Sequence, residues 1–248
     1  KCFGEISMKK LLLAATVATL AMNAAQAAPT LYGKLNVTLD NIDNNGFKDE
    51  SVTKVNSNAS RIGVKGEEKL TDNLSAVYLA EWQFNTDGDG TDTGSGTDLT
   101  QRNRFVGIKS NGVATLKVGR FDSYFKTAAG NNQDIFNDHN ELDMTAILAG
   151  EDRLNNVIGF ETDKKLLAGL AFNIMFQQGE QSSTNDNTLK GQKGSRDGFG
   201  DGISTSLTYE NKDLGLAAAV AGNFAVPMSY KAYGSALNGT YSDAVRVT

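Results

Sequence analysis

The chain is poor in the residues that build most soluble active sites. It has one cysteine, Cys2, among 248 residues. A lone thiol forms no intrachain disulfide and no thiolate metal cluster. It has one histidine, His139, so no paired-histidine metal site exists. No Gly-x-Ser-x-Gly elbow surrounds any serine, so hydrolase chemistry has no local signature. Only 2 prolines are present, which excludes long Pro-rich linkers. Apolar residues make up 40%, below the ~45–50% usual for globular chains. Positive charge is scarce: the formal net charge is −5, whereas a nucleic-acid surface needs clustered Lys and Arg. Enzyme activity, cofactors, metals and nucleic-acid partners are therefore not expected. The run Asp87–Asp98 resembles a calcium loop superficially. Asp92 occupies its sharp-turn position and Asp98 its last, where Gly and Glu are needed, so it reads as an outer loop.

Near the start, Met8-Lys9-Lys10 precedes an apolar run, Leu11–Met22, and then Ala25-Gln26-Ala27. A basic end, an apolar middle and a small-x-small end mark a secretory signal. The apolar run is shorter than the ~20 residues of a membrane-spanning helix. The expected organisation is 1–7 as upstream residues foreign to the mature protein, 8–27 as a cleaved signal peptide, and 28–248 as the mature fold.

The mature part alternates with period two. Leu31, Gly33, Leu35, Val37 and Leu39 share one strand face, with Tyr32, Lys34, Asn36 and Thr38 on the other. Successive strand side chains point to opposite sides. The pattern recurs at 60–68, 74–84, 102–109, 115–119, 156–162, 171–177, 204–210, 214–224 and 244–248. In 214–224 the second face carries only small Ala residues. Short connections such as Ser110-Asn111-Gly112 alternate with long ones at 41–58, 85–100, 126–152, 179–202 and 225–243. Long loops are uncommon in compact soluble domains.

The polar face carries full charges: Lys34, Arg61, Lys65, Glu81, Arg102, Arg104 and Lys117. In a bilayer every backbone polar group must pair internally, so strands survive only in a closed barrel. Its apolar face then meets lipid and its charged face lines water. Tyr78, Trp82, Phe84 and Tyr209 suit interfacial aromatic girdles. The expected fold is an all-β, antiparallel transmembrane β-barrel. About ten strands are counted, the last incomplete, so the chain is expected to be a fragment.

Ala28-Pro-Thr-Leu-Tyr-Gly-Lys34, Ser60-Arg-Ile-Gly-Val-Lys-Gly-Glu-Glu68, Arg102-Asn-Arg-Phe-Val-Gly-Ile-Lys109 and Leu116-Lys-Val-Gly-Arg-Phe121 resemble, in order and spacing, strands of the Gram-negative general porins. The resemblance implies a sixteen-stranded barrel with nine to ten strands present here, and a homotrimer in outer-membrane lipid and lipopolysaccharide. It also implies a water-filled channel for small hydrophilic solutes and ions, narrowed by an inward-folded third loop. That loop would be 126–152, with Asp134, Asp138, Glu141 and Asp143 as its acidic constriction. The facing basic wall would be Lys34, Arg61, Arg102, Arg104 and Arg153; Glu81 and Lys117 would also face the lumen. The loop lacks the family's Pro-Glu-Phe type motif, and Arg120 falls on the lipid parity. A bulge that turns Arg120, or a strand that ends before it, would resolve this. The acidic mature chain suggests a mild cation preference. Open alternatives are a substrate-selective channel, and a surface adhesin on a barrel or β-sandwich.

Overall fold

A computed structural model describes residues 28–43, 51–88, 99–128, 134–136, 138–139, 143–180, 198–228 and 240–248. The expected leader, Glu141 and residues 89–98 of the acidic run lie outside these.

The described residues form twelve strands and two single-turn helices. The strands are β1 (Thr30–Lys34), β2 (Val37–Ile42), β3 (Val52–Ser57), β4 (Arg61–Lys69), β5 (Leu74–Gln83) and β6 (Thr100–Ser110). They continue with β7 (Ala114–Asp122), β8 (Arg153–Thr162), β9 (Leu170–Gln177), β10 (Gly202–Asn211), β11 (Leu216–Met228) and β12 (Thr240–Val247). Helices α1 (Tyr124–Thr127) and α2 (Met144–Ile147) both lie between β7 and β8.

Ten strands make one sheet in the order β1-β4-β5-β6-β7-β8-β9-β10-β11-β12. Neighbours pair antiparallel throughout, for example Leu31 with Val64 and Leu207 with Val220. β2 and β3 form a separate two-stranded ladder. Asn58 N–H donates to the Asn36 carbonyl at 2.8 Å between the two ladders, so they extend one hairpin past a break. β3 was not expected: it lies inside the predicted long loop 41–58, because Val52 and Val55 break the period of two. Among the described residues β1 and β12 are not paired with each other.

Alternation sorts the two faces. Leu31, Val106, Ile108, Leu116, Val118, Phe160, Phe172, Leu207, Val220, Val245 and Val247 are all exposed, and the register brings them to one side. That apolar outer band is what lipid covers in a transmembrane barrel. The inner side is mixed. It carries Lys34, Arg61, Glu81, Lys117 and Glu161, but also a buried apolar cluster of Phe121, Tyr124, Leu154, Val157, Met175, Val226 and Met228. Phe105 packs against that cluster, so it points inward, not toward lipid as its alternation suggested.

A bulge in β6 explains Phe105. Ala80 pairs with Arg104, but Trp82 pairs with Gln101. Two residues, Arg102 and Asn103, therefore oppose the single residue Glu81. The extra residue inverts the parity beyond it, because side chains alternate every residue. Arg102 stays inside, while Arg104 takes the face of Val106 and Ile108.

Candidate functional site

The third long connection leaves β7 and turns into the concave side of the sheet. Ser123 caps α1, its Oγ accepting from Lys126 N–H at 3.1 Å, a standard way to satisfy a helix N-terminus. Tyr124 and Phe125 are buried. The Phe121 and Tyr124 rings lie 6.3 Å apart, and Phe105 meets Phe121 edge-on at 5.7 Å. Gly159 on β8 makes room: a Cβ there would lie 2.7 Å from the Tyr124 hydroxyl and 2.8 Å from the Phe121 ring. Lys117 sits over the Phe105, Phe121 and Tyr124 rings at 4.8, 4.5 and 5.8 Å, and pairs with Glu161. Aromatic faces attract such a cation. Burial, then the Glu161 carboxylate, push the Tyr124 phenol well above its ordinary value.

The loop root also docks on the far strands. Phe125 N–H donates to Ser204 Oγ of β10 at 3.1 Å. Phe125 and Ala128 pack on Ala219 and Ala221 of β11. The small Ala residues noted in 214–224 thus face inward beneath α1 and leave space for an aromatic ring. Arg246 of β12 donates to the Phe125 carbonyl at 3.1 Å and lies 4.2 Å from its ring. Arg246 also pairs with Glu151, just before β8. Burial pushes the Glu151 carboxyl up, and the Arg246 charge opposes this without reversing it.

The loop tip reaches the opposite end of the sheet. Lys34 of β1 donates to Asp138 Oδ2 at 3.0 Å. Arg61 Nη1 lies 3.0 Å from the same oxygen, as an ion pair without hydrogen-bond alignment. Arg102 Nη2 lies 3.9 Å from Asp138 Oδ1. Beneath them Glu81 accepts from Arg102 Nε at 2.6 Å and from the Tyr32 hydroxyl at 2.8 Å. Arg102 also donates to Gln83 at 2.8 Å. The result is a layer of three cations between two carboxylates. Burial opposes ionisation of Asp138, but the Lys34 hydrogen bond and the Arg61, Lys34 and Arg102 charges outweigh it. They hold its carboxyl below the ordinary range. His139 lies beside Asp40 of β2 at 3.6 Å.

The expected site residues separate into groups. Lys34, Arg61, Arg102, Glu81 and Asp138 come together. Arg153 joins through Asn103, which accepts from its Nε at 2.5 Å, and pairs with Asp122 at 3.1 Å. Asp134 accepts from Met144 N–H at 3.1 Å, and Asp143 from the Thr145 hydroxyl at 2.7 Å. Both of these bonds stay within the loop. Glu141 lies outside the described residues. Arg104 is a correction: expected on the basic wall, it stands on the outer face, opposite Arg120 in the ladder. Arg120 needs neither a turn nor an early strand end. It stays within β7 on that face, with Nη1 bonded to Asn155 Oδ1. Lys117 faces inward but is covered by rings. Arg246, Asn103, Asp122 and Ser204 were not singled out from sequence; Arg246 alone gave a signal, as a cation on the inward parity of 244–248. Among the described residues no three metal-ligating side chains converge.

With this geometry in view, a family model described as Gram-negative porin matches residues 13–248. The chain belongs to the Gram-negative porin family. This porin is 30% identical over 228 residues to the major outer membrane protein P.IB of Neisseria sicca, covering 88% of this chain and 58% of that protein. It is 34% identical over 190 residues to P.IB of Neisseria meningitidis serogroup B, covering 74% and 52%. The porin therefore spans just over half the length of these relatives. Its fold is similar to the anion-selective porin from Comamonas acidovorans, with a TM-score of 0.55 and 16% identity over 79% of this chain and 57% of that one. It is also similar to Salmonella typhi OmpF in complex with daunomycin, with a TM-score of 0.56 and 18% identity over 79% and 53%. Membership places the porin in the outer membrane as a β-barrel and outside the enzymes.

Proposed function

We propose that the whole protein forms a water-filled channel for passive diffusion of small hydrophilic solutes and ions, narrowed where the third loop meets the wall at Asp138. The observation that carries this reading is the contact of Asp138 with Lys34, Arg61 and Arg102 across the concave face. Opposite charges held across a narrow aqueous gap create a transverse field. Hydrated polar solutes align in it, while apolar ones lose water and gain nothing. Charges lining a constriction also bias ion selectivity. No bound energy source and no conformational cycle is needed.

The mature protein would begin after the 8–27 segment and assemble as a homotrimer in outer-membrane lipid and lipopolysaccharide. The outer apolar band supports the lipid contact. Lys34, Arg61, Arg102 and Arg153 would form the basic wall, with Glu81 and Asp138 as the acids set against it. Asp134, Glu141 and Asp143 are secondary candidates.

The test is planar-bilayer conductance of the full-length protein together with liposome swelling in a series of sugars. Stepwise conductance and permeation that falls smoothly with sugar size are expected. Absence of conductance from a folded barrel sinks the proposal. Uptake of one solute out of size order would favour a substrate-selective channel.

A further inference from the structure

The third loop has two stems, one leaving β7 through α1 and one returning through Glu151 into β8. The stems touch each other where Ser123 N–H donates to the Asp152 carbonyl at 3.0 Å. Arg246, on β12 and distant in sequence, contacts both. Its Nη1 donates to the Phe125 carbonyl at 3.1 Å, and its guanidinium carbon lies 4.2 Å from the centre of the Phe125 ring. Its Nη2 pairs with Glu151. The two side chains are almost wholly covered, at 8% and 5% exposure. The next inward residue, Thr248, just past β12, donates at 3.3 Å to the carbonyl of Ala128, the C-cap of α1, so this end of the sheet grips α1 and its cap at two successive inward positions.

We propose that Arg246 is the positioning residue that clasps both stems of the third loop to the barrel wall, and so sets how far Asp138 reaches toward Lys34 and Arg61. A planar guanidinium suits this place. It stacks on a ring, donates to a carbonyl on one edge and pairs with a carboxylate on another. An ammonium supplies the charge but not both directed contacts or the stacking. Removing one partner of a buried pair leaves the other charge uncompensated, so the loop root should open more often. That link from clasp to aperture rests on the channel reading above; the clasp itself does not.

The experiment uses the full-length protein, refolded in detergent, with Ala128→Cys as reporter. Ala128 is 7% exposed and lies under the clasp. Maleimide labelling of this cysteine is compared in the Arg246→Met, Arg246→Lys and Glu151→Gln backgrounds. Labelling at least tenfold faster is expected with Arg246→Met, with Arg246→Lys between it and the parent, since a lost buried pair lowers local opening cost by more than the factor-of-ten step. Adding Glu151→Gln to Arg246→Met should give no further acceleration. Each variant's heat-modifiable gel migration reports whether the barrel is intact. If Arg246→Met does not fold, Arg246→Lys and Glu151→Gln decide alone. Unchanged labelling in the folded variants overturns the clasp. In bilayers the same variants should show increased open-channel noise, with partial rescue by Arg246→Lys. A parent protein that does not conduct defeats the channel reading and leaves the labelling result to judge the clasp.

Discussion

Lys34 and Asp138, separated by 104 positions in the chain, are joined by a hydrogen bond of 3.0 Å. The first strand and the tip of the third loop therefore meet directly. Lys34 is 41% exposed but Arg61 only 19%. An exposed ion pair contributes little, typically ~0–1 kcal/mol. The more buried Arg61 should thus hold the loop tip more firmly. Arg61→Gln is expected to change channel conductance more than Lys34→Gln does. Single-channel recordings of the two variants check the order.

The acid behaviour of the same contact follows from the lowered pKa of Asp138. A carboxyl depressed in the fold stabilises it above the ordinary value of ~3.9 and stops doing so as pH falls through its depressed folded value. The loop contact should therefore persist at pH 5 and weaken only well below pH ~3.9. Channel noise recorded against pH should rise only at that acidic edge. Asp138→Asn should remove this edge. A rise centred near neutrality would contradict the assignment.

The β6 bulge makes a sharp comparison possible. Arg102→Gln removes a charge that touches Glu81 and lies near Asp138. Arg104→Gln removes one from the outer face. Reversal potentials across a salt gradient should shift with Arg102→Gln and stay at the parent value with Arg104→Gln. Equal shifts would mean that both arginines face water.

Gly159→Ala tests the fit of the loop root. The added methyl would stand under 3 Å from Tyr124 and Phe121. Overpacking of this kind costs about 1–3 kcal/mol. Unfolding in denaturant should show the loss.

Val118 occupies the middle of β7 on the outer face and is 48% exposed. Val118→Lys should cost about 2–4 kcal/mol in a bilayer if it lies near the midplane. Unfolding from vesicles should show that loss. A neutral result would argue against lipid on this face.

Much of the wall was legible in the sequence. Strand faces announce themselves wherever Leu, Val and Ile recur at alternate positions, because lipid and water demand opposite chemistry of neighbouring residues. The loop root was not legible in the same way. Phe105 looks like a lipid-facing residue, and Phe121 looks misplaced on the parity of Lys117, until the third loop is known to cover them. The β6 bulge left no mark that a count of two could register, so Arg102 and Arg104 looked equivalent. Val52–Ser57 lacks clean alternation, so β3 was read as loop. Of the loop acids, composition singled out none; only the fold carries Asp138 to Arg61 while Asp134 and Asp143 bond within the loop.

The bulge opposite Glu81 also bears on how such a barrel could diversify. Deleting Asn103 would return β6 to regular pairing, with Arg102 opposite Glu81 and Arg104 opposite Ala80, and every later side chain of that strand would keep its surface. The inserted residue is what lets two arginines spaced by two positions stand on opposite surfaces, and a bulge lets a strand take up such an insertion without disturbing the rest of its pairing. Which charges this wall turns inward thus depends on register as much as on residue type, and a count of alternate positions alone overlooks it.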